Sequence, residues 1–534
     1  VTRGCAATGW YGVDAGRSGE LATIAAQGML SSWHASQTPD RIAIYSARGD
    51  RTFADVDRRA NQVARMLRGI GLRPGDAVAV VSGNVPEFAE IYLGCLRSGL
   101  RLTPVNWRLT PDEIAFILRD CDARAVFVHA EQLGGLATFQ GAPDPVKFAI
   151  GATAPGYESY EDALRAVDDA SPTDPTHGAM MLYTSGSTGR PKGVIRERPT
   201  VHGIYGPGTL VGYRDGDVNL LCGPLYHSSP LLFDLVAPFS SGVPIVMLER
   251  FDAESALAAI EKHKVTHTHM VPTMFHRLLA LPDDVRSRYD VSSLKCVNHG
   301  AAPTPVAVKR AMIDWFGPVL EEYYAATEGG GGFRIGSREW LEKPGSVGRL
   351  NPDQGARILD DDGRDCPAYV VGRIFFSNGV GRPTVRYHKA ADENARVFAS
   401  SQFTVGDLGY VDADGYLFLT GRTADRIIIG GSNVYPLEID AILLEHPDVA
   451  VACCVGVPNA EWGEEIKAVV VRRKSARSDA ALAEELLAMA SARLATHKRP
   501  RTVDFVADMP ASEAGKLRRD VVRGMYWKDR IRAI

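Results

Sequence analysis

Tyr183-Thr184-Ser185-Gly186-Ser187-Thr188-Gly189-Arg190-Pro191-Lys192-Gly193 follows an apolar run, Ala179–Leu182, and the rest of the chain is read outward from it. Glycines let a backbone turn tightly enough to aim successive N–H groups at one anion. Ser and Thr hydroxyls add donors, and Lys192 adds a point charge suited to phosphate. The stretch therefore reads as a polyphosphate grip, with Thr184, Ser185, Gly186, Ser187, Thr188, Gly189 and Lys192 as candidate contacts. It is not a Walker A loop, because no G-x-x-x-x-G-K-[ST] occurs in the chain. A flexible Ser/Gly surface turn is the alternative. The Arg190-Pro191-Lys192-Gly193 tail argues against it.

The chain has 534 residues, too many for one ordinary core, so two or more domains are expected. A hydrophobic content of 45% with 23% charged residues is that of a soluble globular protein. The net charge of -4, without a basic tract, gives no reason to expect a nucleic-acid partner. Eight cysteines with no C-x-x-C pair suggest reduced, mostly buried thiols in a cytoplasmic protein rather than a zinc site or disulfide frame. No apolar run is long enough to span a membrane. Val1–Gly19 lacks the apolar centre of a secretory signal and reads, with residue 20, as a poorly ordered tail.

Strand and helix alternate after that. A helix-like pattern covers Leu21–Ala35, and Ile42–Ser46 reads as a strand leading into a hairpin tip at Arg48–Arg51. Phe53, Val56, Ala60, Val63, Ala64 and Leu67 share one helical face. Strands are expected at Asp76–Val81, Leu102–Val105 and Ala125–Val128, with helices at Pro86–Arg97 and Asp112–Asp120 between them. Ala130–Asp174 is weakly patterned and reads as peripheral. Beyond the phosphate stretch come strands at Asn219–Cys222, Ile245–Leu248 and Leu294–Asn298, and helices at Leu231–Ser240 and Ala253–His263. This rhythm gives an α/β fold: a large N-terminal domain of mixed, largely parallel sheets with helices. Gly345–Tyr416 changes to short strands and Gly/Asp turns, a small β-rich subdomain. After Gly421-Arg422-Thr423-Ala424-Asp425-Arg426 the pattern becomes α+β, enough for a small C-terminal domain at 424–534, after an N-terminal domain at 21–423.

Other segments carry chemistry. In Tyr323-Tyr324-Ala325-Ala326-Thr327-Glu328, an aromatic face can stack on adenine, a hydroxyl can bind phosphate, and a carboxylate can hold Mg²⁺ between phosphate oxygens. His299-Gly300-Ala301-Ala302-Pro303 ends a strand, where open α/β sheets bind ligands. Asp407 can accept two hydrogen bonds from vicinal hydroxyls, and Arg422 can reinforce them. Lys516, in Pro510-Ala511-Ser512-Glu513-Ala514-Gly515-Lys516, sits on a turn that can reach another domain and neutralise developing charge.

In order and spacing these segments resemble those of the adenylate-forming superfamily: acyl-CoA synthetases, peptide-synthetase adenylation domains and firefly luciferase. The resemblance runs from about Leu30 to Arg519. It implies that a carboxylic acid and ATP give an acyl-adenylate, and that coenzyme A then takes the acyl group as a thioester. Mg²⁺ is implied at Glu328 and, with phosphate, at Thr184. It also implies that Tyr323, Tyr324, Ala325 and Thr327 with Gly300, Ala301, Ala302 and Pro303 surround the nucleotide, that Asp407 and Arg422 take the ribose, and that Lys516 drives adenylation. The loop of Gly431 would swing in for thioester formation, and His227 would stand at the acyl pocket. Ala325 replaces a common Gly, Ser512 a Thr, and Ala424 the charged residue usual at the pivot between domains.

Members that activate α-amino acids carry an Asp at the position of Ser229, which argues against an amino acid here. Tyr226, Ser229, Phe233, Ala301 and the run Gly329–Gly332 are the candidate pocket residues. The glycines leave room for a long-chain fatty acid or a bulky apolar, sterol-type acid, which would place the chain in lipid metabolism. Alternatively they make a mobile loop. An acyl-AMP ligase loading a carrier protein, a luciferase-like oxygenase and a non-catalytic nucleotide-binding scaffold stand as alternatives, and a homodimer is left open.

Overall fold

Strands covered by helices on both faces need near-continuous apolar runs, and Ala77–Val81 is one: all five residues are buried. The computed structural model describes residues 18–134, 144–184, 191–196, 212–326, 328, 331–350, 356–377, 385–398, 402–429, 432–473, 478–511 and 517–527. In it such runs assemble into two eight-stranded sheets. The first has the order Gly331–Gly336, Leu320–Ala325, Cys296–Gly300, His267–Met270, Asn219–Leu221, Ile245–Met247, Ile42–Ser46, Arg51–Thr52. Its interior is parallel, with an antiparallel strand at each edge. The second runs Val385–Tyr387, Lys192–Arg196, Ala179–Thr184, Arg101–Val105, Ala77–Val81, Ala123–His129, Val146–Ile150, Glu158–Ser159. There the phosphate hairpin and Val385–Tyr387 form an antiparallel flank on a parallel core.

The helix Phe53–Gly69 starts at a capping box in which the Thr52 hydroxyl accepts from Asp55 N and the Asp55 carboxylate accepts from Thr52 N. The stripe anticipated from its spacing is buried, each large apolar side chain contributing ~1.5–3 kcal/mol. It packs on Pro86–Leu96 so closely that a Cβ on Gly94 would lie 2.5 Å from Val63 Cγ1. Glycine alone allows that approach.

A third, six-stranded sheet is formed by Ser346–Arg349, Tyr416–Arg422, Asp407–Val411, Gly372–Ser377, Arg357–Leu359 and Gln402–Phe403. A five-stranded sheet follows: Ser432–Val434, Ile427–Ile429, Gly463–Arg472, Val449–Asn459 and Thr502–Val506. It encloses its own core, including Ile439, Leu443, Cys454, Ile466, Val470 and Leu486. The fold is thus a large N-terminal α/β domain with a β-rich subdomain, and a small C-terminal α+β domain. Among the described residues no helix is long and apolar enough to cross a membrane. Six of the seven described cysteines are buried and all seven are free thiols.

Four expectations are corrected. Leu21–Ala35 is not one helix but two, Ser18–Ala26 and Leu30–Gln37. Gly28 breaks it at φ +73, where a Cβ would meet Leu96 O at 2.8 Å. The first of these helices begins inside the stretch read as a tail; residues 1–17 lie outside the described residues. The region 130–174 is not peripheral: Phe148, Ile150, Tyr160 and Leu164 are core, with Phe148 stacked on Phe127 at 4.9 Å. Lys147 breaks the apolar run of a five-residue strand, so its pattern was faint. Leu231–Ser240 is not a regular helix, because Leu231–Val236 is π-helical, with Ala237 N donating to Leu232 O. Pro238 has no N–H for the Asp234 carbonyl and its ring would crowd that carbonyl, so the turn widens. Finally, Val385–Tyr387 leaves the β-rich subdomain and joins the second sheet. Three residues are too few to show a period.

Candidate active site

Strand Ala179–Thr184 ends at the residue that pairs with Lys192, so Thr184 and Lys192 face each other across the neck of the phosphate stretch. Ser185, Gly186, Ser187, Thr188 and Gly189 lie outside the described residues. The neck is anchored. Tyr183 donates its hydroxyl to Asp120 Oδ2 at 2.5 Å, and His388 N donates to Gly193 O at 2.7 Å. A Cβ on Gly193 would lie 3.0 to 3.3 Å from the Met181, Tyr183 and His388 side chains, which would have to give way by a few tenths of an ångström.

Three predicted nucleotide contacts form one hydrogen-bonded line. The Tyr324 hydroxyl donates to Asp407 Oδ2 at 2.7 Å, and Arg422 Nε donates to Asp407 Oδ1 at 2.9 Å. Asp407 and Arg422 are cross-strand partners in the third sheet, whereas Tyr324 comes from the first. Burial first, and then the Asp407 charge, hold the Tyr324 phenol well above its usual range, so it stays a donor. Phe333 stacks on the Tyr324 ring at 5.7 Å and 22°. The carboxylate still has lone pairs to offer, since each oxygen has so far taken one of about two bonds.

Gly300 closes this corner from the neighbouring strand. A Cβ there would meet Tyr323 O at 2.4 Å. The next residue, Ala301, has φ +64, a strained left-handed conformation for a side chain with a Cβ. Ala302 is half-buried; Pro303 and Ala325 are exposed. Beneath the loop, Lys309 Nζ donates to Glu322 Oε2 at 2.6 Å and lies 4.7 Å from the Trp340 ring.

Glu328 accepts a hydrogen bond of 3.0 Å at Oε1 from the Tyr387 hydroxyl. Lys192 Nζ lies 5.8 Å from the centre of the same tyrosine ring. Tyr387 is buried, and no motif pointed to it. Thr327 lies outside the described residues, as do Gly431, Lys516 and the first half of the Gly329–Gly332 run. The ends of the Lys516 stretch are described: Ala511 and Leu517 bridge, and Arg519 ion-pairs with buried Asp440 at 2.5 Å. Among the described residues no group of three or more His, Cys, Asp or Glu could hold a metal. Mg²⁺ carried by a polyphosphate needs just one or two carboxylates, and Glu328 is one such group.

A second group of the residues named from sequence, with their neighbours, is aromatic. His227 caps the N-terminus of the turn Ser228–Pro230, its ring 4.7 Å from Tyr226. Phe233 stacks on His269 at 5.4 Å and 7°, and packs on Tyr323 at 5.0 Å. His269 Nε2 and the Tyr323 hydroxyl share a hydrogen bond of 2.9 Å. Burial pushes His269 down to about 3, keeping it neutral. Asp234, on the π-helical turn, accepts from Asn219 Nδ2 and His269 N at Oδ1, and burial holds it well above the carboxylate range. The sequence carried a signal for this network: His267-Thr268-His269 places polar residues in a strand buried on both faces.

An open parallel sheet, a hydroxyl- and glycine-rich hairpin at its edge and a second α+β domain define a two-domain nucleotide-loop architecture. Residues 31–380 match the family model of the AMP-binding enzyme, and residues 438–516 that of the AMP-binding enzyme C-terminal domain. The chain belongs to the AMP-binding enzyme family. It is similar to an indoleacetate–CoA ligase of Aromatoleum aromaticum, 31% identical over 505 residues, covering 92% of this chain and 97% of the relative. A fatty acid–[acyl-carrier-protein] ligase, ScoC, of Streptomyces coeruleorubidus is 30% identical over 515 residues, covering 94% and 97%. Among solved structures, the anthranilate CoA ligase AuaEII in complex with anthranoyl-AMP superposes with a TM-score of 0.84 at 25% identity, covering 94% of this chain and 97% of that one.

Proposed function

We propose that this enzyme is an acyl- or aryl-CoA ligase that activates a bulky apolar carboxylic acid through an acyl-adenylate. The observation that carries the reading is the Tyr324–Asp407–Arg422 line, which brings an aromatic ring, a carboxylate and a guanidinium into one nucleoside-sized corner. A carboxylate resists nucleophiles because it is anionic and its oxide is a poor leaving group. In the first step its oxygen attacks the α-phosphorus of ATP and pyrophosphate leaves. In the second the thiol of coenzyme A attacks the acyl carbon, AMP leaves with the bonding electrons, and the thiol proton passes to solvent.

The residues divide accordingly. Thr184, Ser185, Gly186, Ser187, Thr188, Gly189 and Lys192 grip phosphate, and Thr327 joins them at the α-phosphate. Tyr324, with Tyr323, Ala325 and the Gly300–Pro303 turn, holds adenine; Asp407 and Arg422 hold ribose. Glu328 and Thr184 are the residues that would hold Mg²⁺, which when bound neutralises phosphate oxygens. Lys516 approaches for adenylation and the Gly431 loop for thioester formation, by rotation of residues 424–534 about Ala424 against 21–423.

His227, Tyr226, Ser229, Phe233 and Ala301 line the acyl pocket in this reading, with the Phe233–His269–Tyr323 stack as its wall. Apolar ring faces favour an acid with an aryl or branched apolar body over acetate. Support also comes from relatives whose names specify indoleacetate, anthranilate and fatty acids. The relative named as a carrier-protein ligase favours a second reading, in which a carrier-bound thiol replaces coenzyme A.

A panel of aryl, branched and straight-chain acids, assayed for AMP release with coenzyme A as the sole thiol, tests acid and acceptor together. Release that needs instead a carrier protein with a free prosthetic-group thiol selects the second reading. Lys516→Ala is expected to lower acid-dependent pyrophosphate exchange by about a thousandfold, while synthetic acyl-AMP plus coenzyme A reacts within about threefold of the parent. Equal loss in both halves removes the division of labour between Lys516 and the Gly431 loop.

A further inference from the structure

We propose that Tyr387 is a positioning residue that sets the geometry of the metal-binding carboxylate, Glu328, and of the phosphate-loop cation, Lys192. The inference rests on the ligase reading above and adds a residue that none of its motifs contains. Glu328 lies outside the strands Leu320–Ala325 and Gly331–Gly336, so no ladder fixes its backbone. A glutamate in such a place has several rotamers to lose before it can ligate a cation. The Tyr387 hydroxyl, donating to Oε1 at 3.0 Å, removes that freedom in advance. It uses one lone pair and leaves the carboxylate further acceptors for a metal.

Tyr387 is itself held on every side that the structure describes. Its strand pairs with the phosphate hairpin, placing Tyr387 opposite Val194. Its backbone is bracketed by one side chain: Tyr387 N donates to Asn394 Oδ1 at 2.7 Å, and Asn394 Nδ2 donates to Tyr387 O at 2.8 Å. Its ring packs on Phe398 at 5.5 Å. Lys192 Nζ, 5.8 Å from the ring centre, is drawn to the π-face. One rigid side chain therefore meets both an anion and a cation, from an edge strand paired with the strand Lys192–Arg196. A tyrosine needed for packing alone would use its ring. Here the hydroxyl is spent on the carboxylate.

Tyr387→Phe keeps the ring and removes the hydroxyl. Tyr387→Leu removes both. The test titrates free Mg²⁺ against ATP binding, measured by calorimetry without acid, so that no turnover enters. For Tyr387→Phe the Mg²⁺ concentration at half-maximal ATP binding should rise about tenfold, with ATP affinity at saturating Mg²⁺ within about twofold. Its melting temperature and the acyl-AMP plus coenzyme A half-reaction should match the parent. Tyr387→Leu should in addition weaken ATP at saturating Mg²⁺, through Lys192. An unchanged Mg²⁺ midpoint in Tyr387→Phe overturns the inference, as does a shift matched by equal loss in the thioester half-reaction. If the parent itself binds ATP with no Mg²⁺ dependence, the ligase reading falls first and takes this inference with it.

Discussion

The two corners of the proposed nucleotide site, one assigned to adenosine and one to the metal, are built by different means. In the adenosine corner, Asp407 and Arg422 meet because they are opposite one another on adjacent strands, and Tyr324 reaches them with its hydroxyl. Every member of that corner belongs to a motif and every one is expected to touch ATP. In the metal corner the motif supplies Glu328, but its orientation depends on Tyr387, from a three-residue strand at a sheet edge. The difference teaches that residues which touch a ligand leave a mark in local sequence, because chemistry restricts their type and spacing. Residues that hold the touching residue are restricted by packing alone, and many side chains pack.

That contrast can be broken by mutation, beginning with the metal corner. Glu328→Gln retains an oxygen for the Tyr387 hydroxyl and removes the charge. Adenylation should fall by about 10² to 10³, since a phosphate-bound cation loses its one protein carboxylate, while the thioester half-reaction from acyl-AMP stays within about threefold. A comparable loss in both halves means that Glu328 serves the fold rather than the cation. The adenosine corner should respond more weakly. Asp407→Asn and Tyr324→Phe should each raise the KM for ATP by about five- to tenfold, and the double variant should do so by clearly less than the product, because the two share one hydrogen bond. Within the metal corner Glu328→Gln and Tyr387→Phe should likewise fail to multiply. Pairs drawn from different corners should multiply. Multiplicative behaviour within a corner shows that the line of hydrogen bonds is incidental.

Legibility followed the same division. The parallel cores were readable because Ala77–Val81 and Ala125–Val128 are continuous apolar runs, and the stripe on Phe53–Gly69 has a helix period. Val146–Ile150 was missed because Lys147 interrupts five residues, and the π-helical turn because an apolar run read as a helix does not show the step of its hydrogen bonds. In the site, Tyr324, Asp407 and Arg422 were named from sequence and lie together; Glu328 was named and lies against a residue that was not. His269 was missed although a histidine inside a fully buried strand is a strong hint of a polar network. Ala301, named from sequence, has a left-handed backbone, which sequence could not display.

The smallest expected effect concerns pH, and it separates the corners from the frame that carries them. His269 is 1% exposed and held neutral, its pKa pushed down from 6.5 to about 3 by burial. Between those values the unfolded chain binds a proton at this position that the folded chain refuses. Stability is therefore fully present above pH 6.5 and is lost as pH falls toward 3, by about 1.4 kcal/mol per pH unit in mid-range. His34, hydrogen-bonded to Ser240 O and pushed down to about 4, acts in the same direction. Between pH 7 and pH 5 the parent should lose about 2 kcal/mol through His269 that His269→Gln does not lose. The check is the melting temperature of both proteins at the two pH values: the gap between them should move in favour of the variant as pH falls. A gap that stays constant means that His269 is charged in the folded protein.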